Sequence, residues 1–191
     1  MNSPEHASFL LALAGGLALV LVFWIVFVYN RWVSLALMAD NAWSDVDVFL
    51  KKRHDLVPNL VALLQTYMGH EKKSLEGIAH LRQAAQNLHG RATESRFGVE
   101  NDLKGSIRNL LVQVEAYPNL KADAQFRQLA DKLTQVENEI EASRRYYNAL
   151  VSDYNTSIQL FPNLLLSGIF RTRRRALFSA EGERDPVTVN G

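Results

Sequence analysis

Cysteine is absent from these 191 residues, which excludes disulfides, thiolate metal sites, a cysteine nucleophile and a lipid-modified cysteine. An excess of either charge is absent as well: 21 Lys and Arg stand against 20 Asp and Glu, a formal net charge of +1. Near-neutrality argues against a dedicated nucleic-acid binder, which would carry a basic face. Strand signals are missing too, since no alternating Val/Ile/Thr stretch lies between turn residues.

The patterns that carry chemistry are equally scarce. His70-Glu71 begins like a zinc-protease motif, but Ser74 stands where the second His belongs. His6, His54, His70, His80 and His89 share no i,i+3 or i,i+4 pair, so no two of them clasp a metal from one helix face. A bundle can also build a metal site from Glu-x-x-His repeats, and none occurs. Asp45 and Asp47 are two apart on a helix and point to different sides. There is no glycine-rich phosphate loop and no nucleophile elbow. The expectation is a non-enzymatic protein with no catalytic residue, no cofactor and no metal.

What is present is one long apolar run and a great deal of helix. Residues 9–29 are uncharged, and at about 1.5 Å per residue 21 such positions match a hydrocarbon core roughly 30 Å thick. No basic residue precedes the run, and Phe23-Trp24-Ile25-Val26-Phe27-Val28 offers no small-residue cleavage site, so it reads as a retained anchor rather than a signal peptide. No Pro, and no Gly after Gly16, interrupts its passage into Asn30, Arg31 and Trp32. All Lys and Arg lie from Arg31 onward. The positive-inside rule therefore favours a cytoplasmic bundle, on a thin margin because only Arg31 is close to the membrane.

Beyond the run, Trp32, Leu35, Ala39, Ala42, Val46, Phe49, Arg53, Leu56, Leu60, Leu63 and Tyr67 recur at gaps of three and four, one face of a helix. Pro58 falls inside this pattern and is expected to kink it or mark a restart. A second helix is expected over residues 71–88, with Leu75, Ile78, Arg82 and Ala85 on its face. A loop over 88–98 follows, then a third helix over 99–117 through Leu103, Ile107, Leu110, Val114 and Tyr117. Pro118 ends it. In the fourth, Phe126, Leu133, Ile140, Tyr147, Tyr154 and Phe161 are each seven apart, and Phe161-Pro162 closes it. Four narrow apolar faces need one another. The expected fold is all-α: a transmembrane helix continuous with a long antiparallel up-down bundle of about four helices. The expected layout is a tail at 1–8, the transmembrane helix at 9–29, the bundle at 30–170 and a basic then acidic flexible tail at 171–191.

Arg53 and Arg82 fall on apolar faces. Snorkelling to the surface is the common fate of such residues; burial would demand a carboxylate, with Glu115, Glu137, Glu139 and Glu141 as candidates. The apolar stretch 163–170 is followed by Arg171, Arg173, Arg174 and Arg175. It reads as a cap on the bundle end with a solvated basic tail, or as a candidate lipid contact through those four arginines.

Several stretches read together resemble the LemA family of bacterial membrane proteins. They are Tyr29-Asn30, Ala42-Trp43-Ser44-Asp45-Val46-Asp47-Val48, Lys52-Arg53-His54-Asp55-Leu56-Val57-Pro58-Asn59-Leu60-Val61, Glu115-Ala116-Tyr117-Pro118-Asn119-Leu120-Lys121-Ala122, Glu137-Asn138-Glu139-Ile140, Arg144-Arg145-Tyr146-Tyr147-Asn148, and Tyr154-Asn155 through Phe161-Pro162. The resemblance implies a single N-terminal anchor, a long helical bundle and no established catalysis, with members often encoded beside membrane proteases. It marks Trp43, Asp45, Arg53, Asp55, Pro58, Asn59, Tyr117, Pro118, Tyr147, Asn148, Tyr154, Asn155, Phe161 and Pro162 as candidate interaction or family-motif residues. Many members begin with Met and two lysines, whereas this chain begins Met1-Asn2-Ser3-Pro4.

The function expected is that of a single-pass scaffold or adaptor in the bacterial plasma membrane. It would act by self-association or by binding another membrane or envelope protein, a membrane protease among them, with membrane lipid around its anchor. A membrane-remodelling protein that oligomerises on the bilayer is the alternative.

Overall fold

The computed structural model describes residues 4–68, 72–90 and 92–178, with side chains from residue 8. His70, Glu71 and the acidic end of the chain, 179–191, lie outside the described residues, as does the side chain of His6. The described residues are helical with no strand: α1 (Pro4–Tyr67), α2 (Lys72–Asn87), α3 (Glu94–Gln113), a 3-10 turn at Val114–Ala116, α4 (Pro118–Ala122), α5 (Ala124–Gln159) and α6 (Asn163–Ile169).

α1 is one helix of 64 residues and passes through Pro58 without a restart. Its apolar N-terminal part is long enough to cross a membrane, and residues 8–23 are exposed all round, as lipid-facing side chains must be.

α3 begins five residues earlier than its apolar periodicity predicts. Thr93, in extended geometry, accepts a hydrogen bond from the Arg96 backbone N–H through its hydroxyl, which satisfies one of the unpaired donors of the first turn. The expected loop over 88–98 therefore shrinks, and Arg96 and Phe97 become buried helical residues alongside Glu100. The connection after the third helix is largely α4, with Pro118 at its first position, where a missing N–H costs nothing. Asp123 then caps α5, its Oδ1 accepting from the N–H groups of Gln125 and Phe126.

The chain divides into two compact units. In the first, residues 1–39 and 150–175, Val28 and Trp32 of α1, Tyr154 and Ile158 of α5 and Leu166 of α6 form a buried cluster. Phe161, expected on the seam of α5, is 81% exposed: α5 stops at Gln159, and the turn at residues 160–162 swings the ring outward.

In the second unit, residues 40–149 and 176–191, the core runs through Val57, Leu60 and Leu64 of α1, Leu75 and Ile78 of α2, Leu103, Ile107 and Leu110 of α3, and Phe126 and Leu133 of α5. The buried face of α1 includes Ala42, Val46, Arg53 and Leu60, as expected, but is wider. Leu50, Val57 and Leu64 are fully buried, while Phe49, Leu56 and Leu63 are half-buried and Tyr67 is exposed. Helices α2, α3 and α5 all contribute to this core, so α1 buries a stripe wider than the narrow seam the spacing suggested.

The expected flexible tail does not start at residue 171. Asn155 of α5 pairs with the backbone of Arg175, its Nδ2 donating to the carbonyl at 2.9 Å and its Oδ1 accepting from the N–H at 2.9 Å. Asn148 does the same to Phe178, at 3.0 and 2.8 Å. Phe178 itself is buried. A primary amide presents one donor and one acceptor side by side, which is what an extended peptide presents in return. Arg171 to Phe178 is thus ordered by long-range bonds that its composition does not advertise.

Candidate functional site

A charged layer lies inside the second unit, built around Arg53 on α1. Arg53 is 3% exposed, so it does not snorkel. Its Nη2 donates to Glu100 Oε2 at 2.6 Å and to the Glu100 carbonyl at 3.0 Å, and its Nη1 donates to Glu137 Oε2 at 3.1 Å. One guanidinium fork therefore ties α1 to α3 and α5, a geometry only arginine offers. Of its two carboxylate partners, Glu137 is among the four candidates the sequence offers and Glu100 is not. Of the other candidates, Glu115 pairs with Lys121 and Glu141 with Lys104, and Glu139 is exposed.

The layer continues on both sides of Arg53. His54 Nε2 lies 3.1 Å from Glu100 Oε2. Lys104 reaches Glu137 at 3.0 Å and Glu141 at 2.7 Å. Arg96, fully buried, bonds through Nη2 to Asp47 and stacks its guanidinium 5.0 Å above the Trp43 ring. Trp43 in turn meets Phe97, Tyr147 and Phe178, with Phe97 and Phe178 stacked at 4.6 Å. The Tyr147 hydroxyl donates to the Ala176 carbonyl at 2.9 Å.

Arg82 solves a problem that Pro58 creates. In a helix the carbonyl of His54 would accept from the N–H of residue 58, and proline has none. The Arg82 Nε donates to that carbonyl at 2.7 Å instead, so the motif proline is tolerated because α2 supplies the missing donor. Arg82, half-buried, thus uses a backbone oxygen rather than a carboxylate. Arg82→Met is expected to cost about 1–3 kcal/mol, the price of an unpaired buried acceptor, and considerably less when Pro58→Ala restores the backbone donor. Equal costs in both backgrounds, measured by thermal melts, would refute the compensation.

Burial pushes the Glu100 carboxyl up, but the His54 hydrogen bond and the Arg53 charge together outweigh it and hold it below the ordinary carboxylate range. A carboxyl depressed in the folded state adds stability that is complete above its unfolded value near 4.3 and is lost as pH falls through the folded value. Melting temperature should therefore drop as the solution is acidified below about pH 4.3. Glu100→Gln should melt lower at neutral pH and lose less in acid. Identical acid slopes for the two proteins would place the sensitive group elsewhere.

The remaining candidates sort by exposure. Asp45, Asp55, Pro58 and Asn59 face outward on α1; Tyr117 is half-buried and Pro118 exposed; Tyr147 and Tyr154 are buried, each followed by its clamping asparagine. Asp55 lines a surface groove of ≈ 400 Å³ with Phe49, Lys52 and Leu56 of α1 and Lys132, Val136 and Glu139 of α5. A recess of ≈ 200 Å³ beside Arg53, Lys104 and Glu137 is smaller than ordinary ligand pockets of about 300–1,000 Å³. Among the described residues no group of His, Asp and Glu is placed to hold a metal.

Described residues that are helical without a strand, with one apolar N-terminal helix long enough to span a bilayer, fit a membrane-associated helical protein. This chain belongs to the LemA family, whose model matches residues 42–190. It is 30% identical over 122 residues to Protein LemA of Metamycoplasma hominis, covering 63% of this chain and 55% of that protein, so the chain spans about half the length of this relative. It is also similar to Magnetosome protein MamQ 2 of Paramagnetospirillum magneticum, 21% identical across 98% of this chain and 77% of that protein. Magnetosome protein MamQ of Magnetospirillum gryphiswaldense is 23% identical across 70% of this chain and 58% of its own length.

Proposed function

We propose that the chain is a non-enzymatic, single-pass scaffold of the bacterial plasma membrane, anchored by residues 9–29. Residues 30–170 form an antiparallel up-down bundle that docks a second copy of the chain or another membrane or envelope protein. The observation that carries this reading is that the interior charges are spent on one another: Arg53 on Glu100 and Glu137, Lys104 on Glu137 and Glu141, Arg96 on Asp47. Such a layer fixes one register of packed helices and offers no acid or base to a substrate. Similarity to proteins named for the magnetosome supports a role within a larger assembly. The outward residues of the motif, Asp55 above all, are the surface on which docking is expected.

A photo-crosslinking residue at position 55 in intact membranes tests this. One discrete adduct is expected, either a dimer of this chain or a single heavier product. Recovery of monomer alone would overturn the reading. The positive-inside rule favours a cytoplasmic bundle, and a C-terminal green fluorescent protein fusion should then fluoresce, whereas an active alkaline phosphatase fusion would place the bundle outside.

A further inference from the structure

The turn and short helix at residues 160–170 combine three features that belong to a bilayer surface. The segment contains no charged residue, yet it is not buried: Phe161, Leu165 and Ile169 are 81%, 64% and 73% exposed, and Leu160 and Leu164 are exposed beside them. Only Leu166 turns inward, joining Val28 and Trp32 of α1. Soluble surfaces rarely tolerate so contiguous an apolar patch.

Its position within the first unit is the second feature. The Phe170 ring lies 5.1 Å from Tyr29, and Trp24 and Ile25 pack against the cluster that holds Leu166. Residues 24–29 are the last turns of the uncharged run, and Arg31 is the first charge after it. The segment therefore sits level with the point at which α1 leaves the hydrocarbon, and Trp24, Tyr29 and Trp32 are the residue types that gather at that boundary.

The third feature is charge. Arg171, Arg173 and Arg174 follow directly and are exposed. Arg175 is set apart from them, half-buried with its guanidinium 5.6 Å above the Tyr154 ring, so the four arginines suggested by the sequence reduce to three. Apolar side chains beneath a basic rim are the signature of a segment lying in the headgroup region of an anionic leaflet.

We infer that residues 160–170 form a second, monotopic membrane contact. The exposed apolar side chains enter the acyl–headgroup boundary of the leaflet from which α1 emerges, and Arg171, Arg173 and Arg174 meet lipid phosphates. The contact fixes the first unit to the bilayer at two points, so that it cannot swivel about α1 alone. The inference rests on α1 spanning the membrane, and the test separates the two.

Because the chain has no cysteine, single nitroxide labels can be placed on the full-length protein in vesicles of phosphatidylcholine and phosphatidylglycerol. Leu19→Cys reports the span, Leu165→Cys and Phe161→Cys report the contact, and Glu76→Cys on exposed α2 is the aqueous reference. The labels at 161 and 165 should favour collision with oxygen over a water-soluble nickel complex and report depths of about 5–10 Å below the headgroup level. Aqueous behaviour at 161 and 165 with a buried label at 19 overturns the contact alone; aqueous behaviour at 19 overturns the anchor itself. Shielding of 161 and 165 from both reagents would mean that protein, not lipid, covers the patch, and would also overturn the inference. Replacing Arg171, Arg173 and Arg174 by Gln should move the label at 165 towards water, and no movement would remove the arginines from the contact.

Discussion

Arg53→Ala should lower the stability of the folded protein by about 3–5 kcal/mol, the cost of breaking a buried ion pair by removing one partner. The Glu100 carboxylate is completely buried and Arg53 supplies its shortest bond, at 2.6 Å. Without it, the carboxylate keeps its contact with His54 at 3.1 Å, and the nearest remaining arginine is Arg96, at 3.7 Å. The same truncation removes one partner of Glu137, which keeps Lys104 at 3.0 Å, is only partly shielded and can recover water at lower cost. Arg53→Met combined with Glu100→Gln should therefore lose much less than the sum of the two single changes, with a coupling of about 0.5–3 kcal/mol. Thermal melts of the four proteins in detergent, followed by helical circular dichroism, read this directly. Additive losses would mean that the pair acts as two independent polar groups.

Phe178→Ala is the second large effect. Phe178 is 2% exposed, stacked on Phe97 with an interplanar angle of 11°, and removal of a buried phenylalanine costs about 3–5 kcal/mol. Because the residue lies near the end of the described chain, the loss should appear first as detachment of its segment. Trypsin is the suitable probe, since Arg171, Arg173, Arg174 and Arg175 lie just before it. At about 1.4 kcal/mol per tenfold change, a 3 kcal/mol loss raises the open population, and with it the cleavage rate, by about a hundredfold. Asn148→Ala removes both amide bonds to Phe178 and should accelerate cleavage in the same direction by less. Unchanged cleavage in Phe178→Ala would mean that the asparagine pairings alone hold the segment.

The elements legible in the sequence are those whose signals are local. The uncharged run marks the apolar part of α1. The seven-residue spacing of Phe126, Leu133, Ile140, Tyr147 and Tyr154 marks the buried edge of α5, and Leu75, Ile78 and Ala85 mark that of α2. α3 is legible only from its second turn, because Arg96 and Gly98 look like loop residues until their burial partners are known. Thr93 and Glu94 were the available signal, a cap followed by an acid in the first turn. Glu100 lies inside the expected helix, one turn before Leu103, but a carboxylate there carries no sign of burial, so the centre of the charged layer stays hidden in the sequence. His54 was passed over for a related reason: on a narrow seam only Arg53 fits, whereas a helix that buries a wider stripe takes both neighbours.

The ordering of residues 171–178 left no periodic trace at all, since it depends on side-chain amides of α5 more than fifteen residues away in sequence. The doublets Tyr147-Asn148 and Tyr154-Asn155 are where it is anchored. Each tyrosine packs in the core, and each asparagine beside it holds a peptide of the C-terminal segment. The remedy for Pro58 was equally non-local, since nothing near Arg82 in sequence points to a carbonyl on another helix.

The central claim, that this chain works by docking other protein rather than by chemistry, is tested most directly by weighing it in its own membrane. Full-length protein extracted in native nanodiscs, without detergent, can be measured by single-particle mass photometry against empty discs. The account predicts a discrete species heavier than one 21.6 kDa chain in its disc, either a defined multiple of the chain or the chain with one recurring partner. A population made only of discs carrying a single copy, at native abundance, would contradict it.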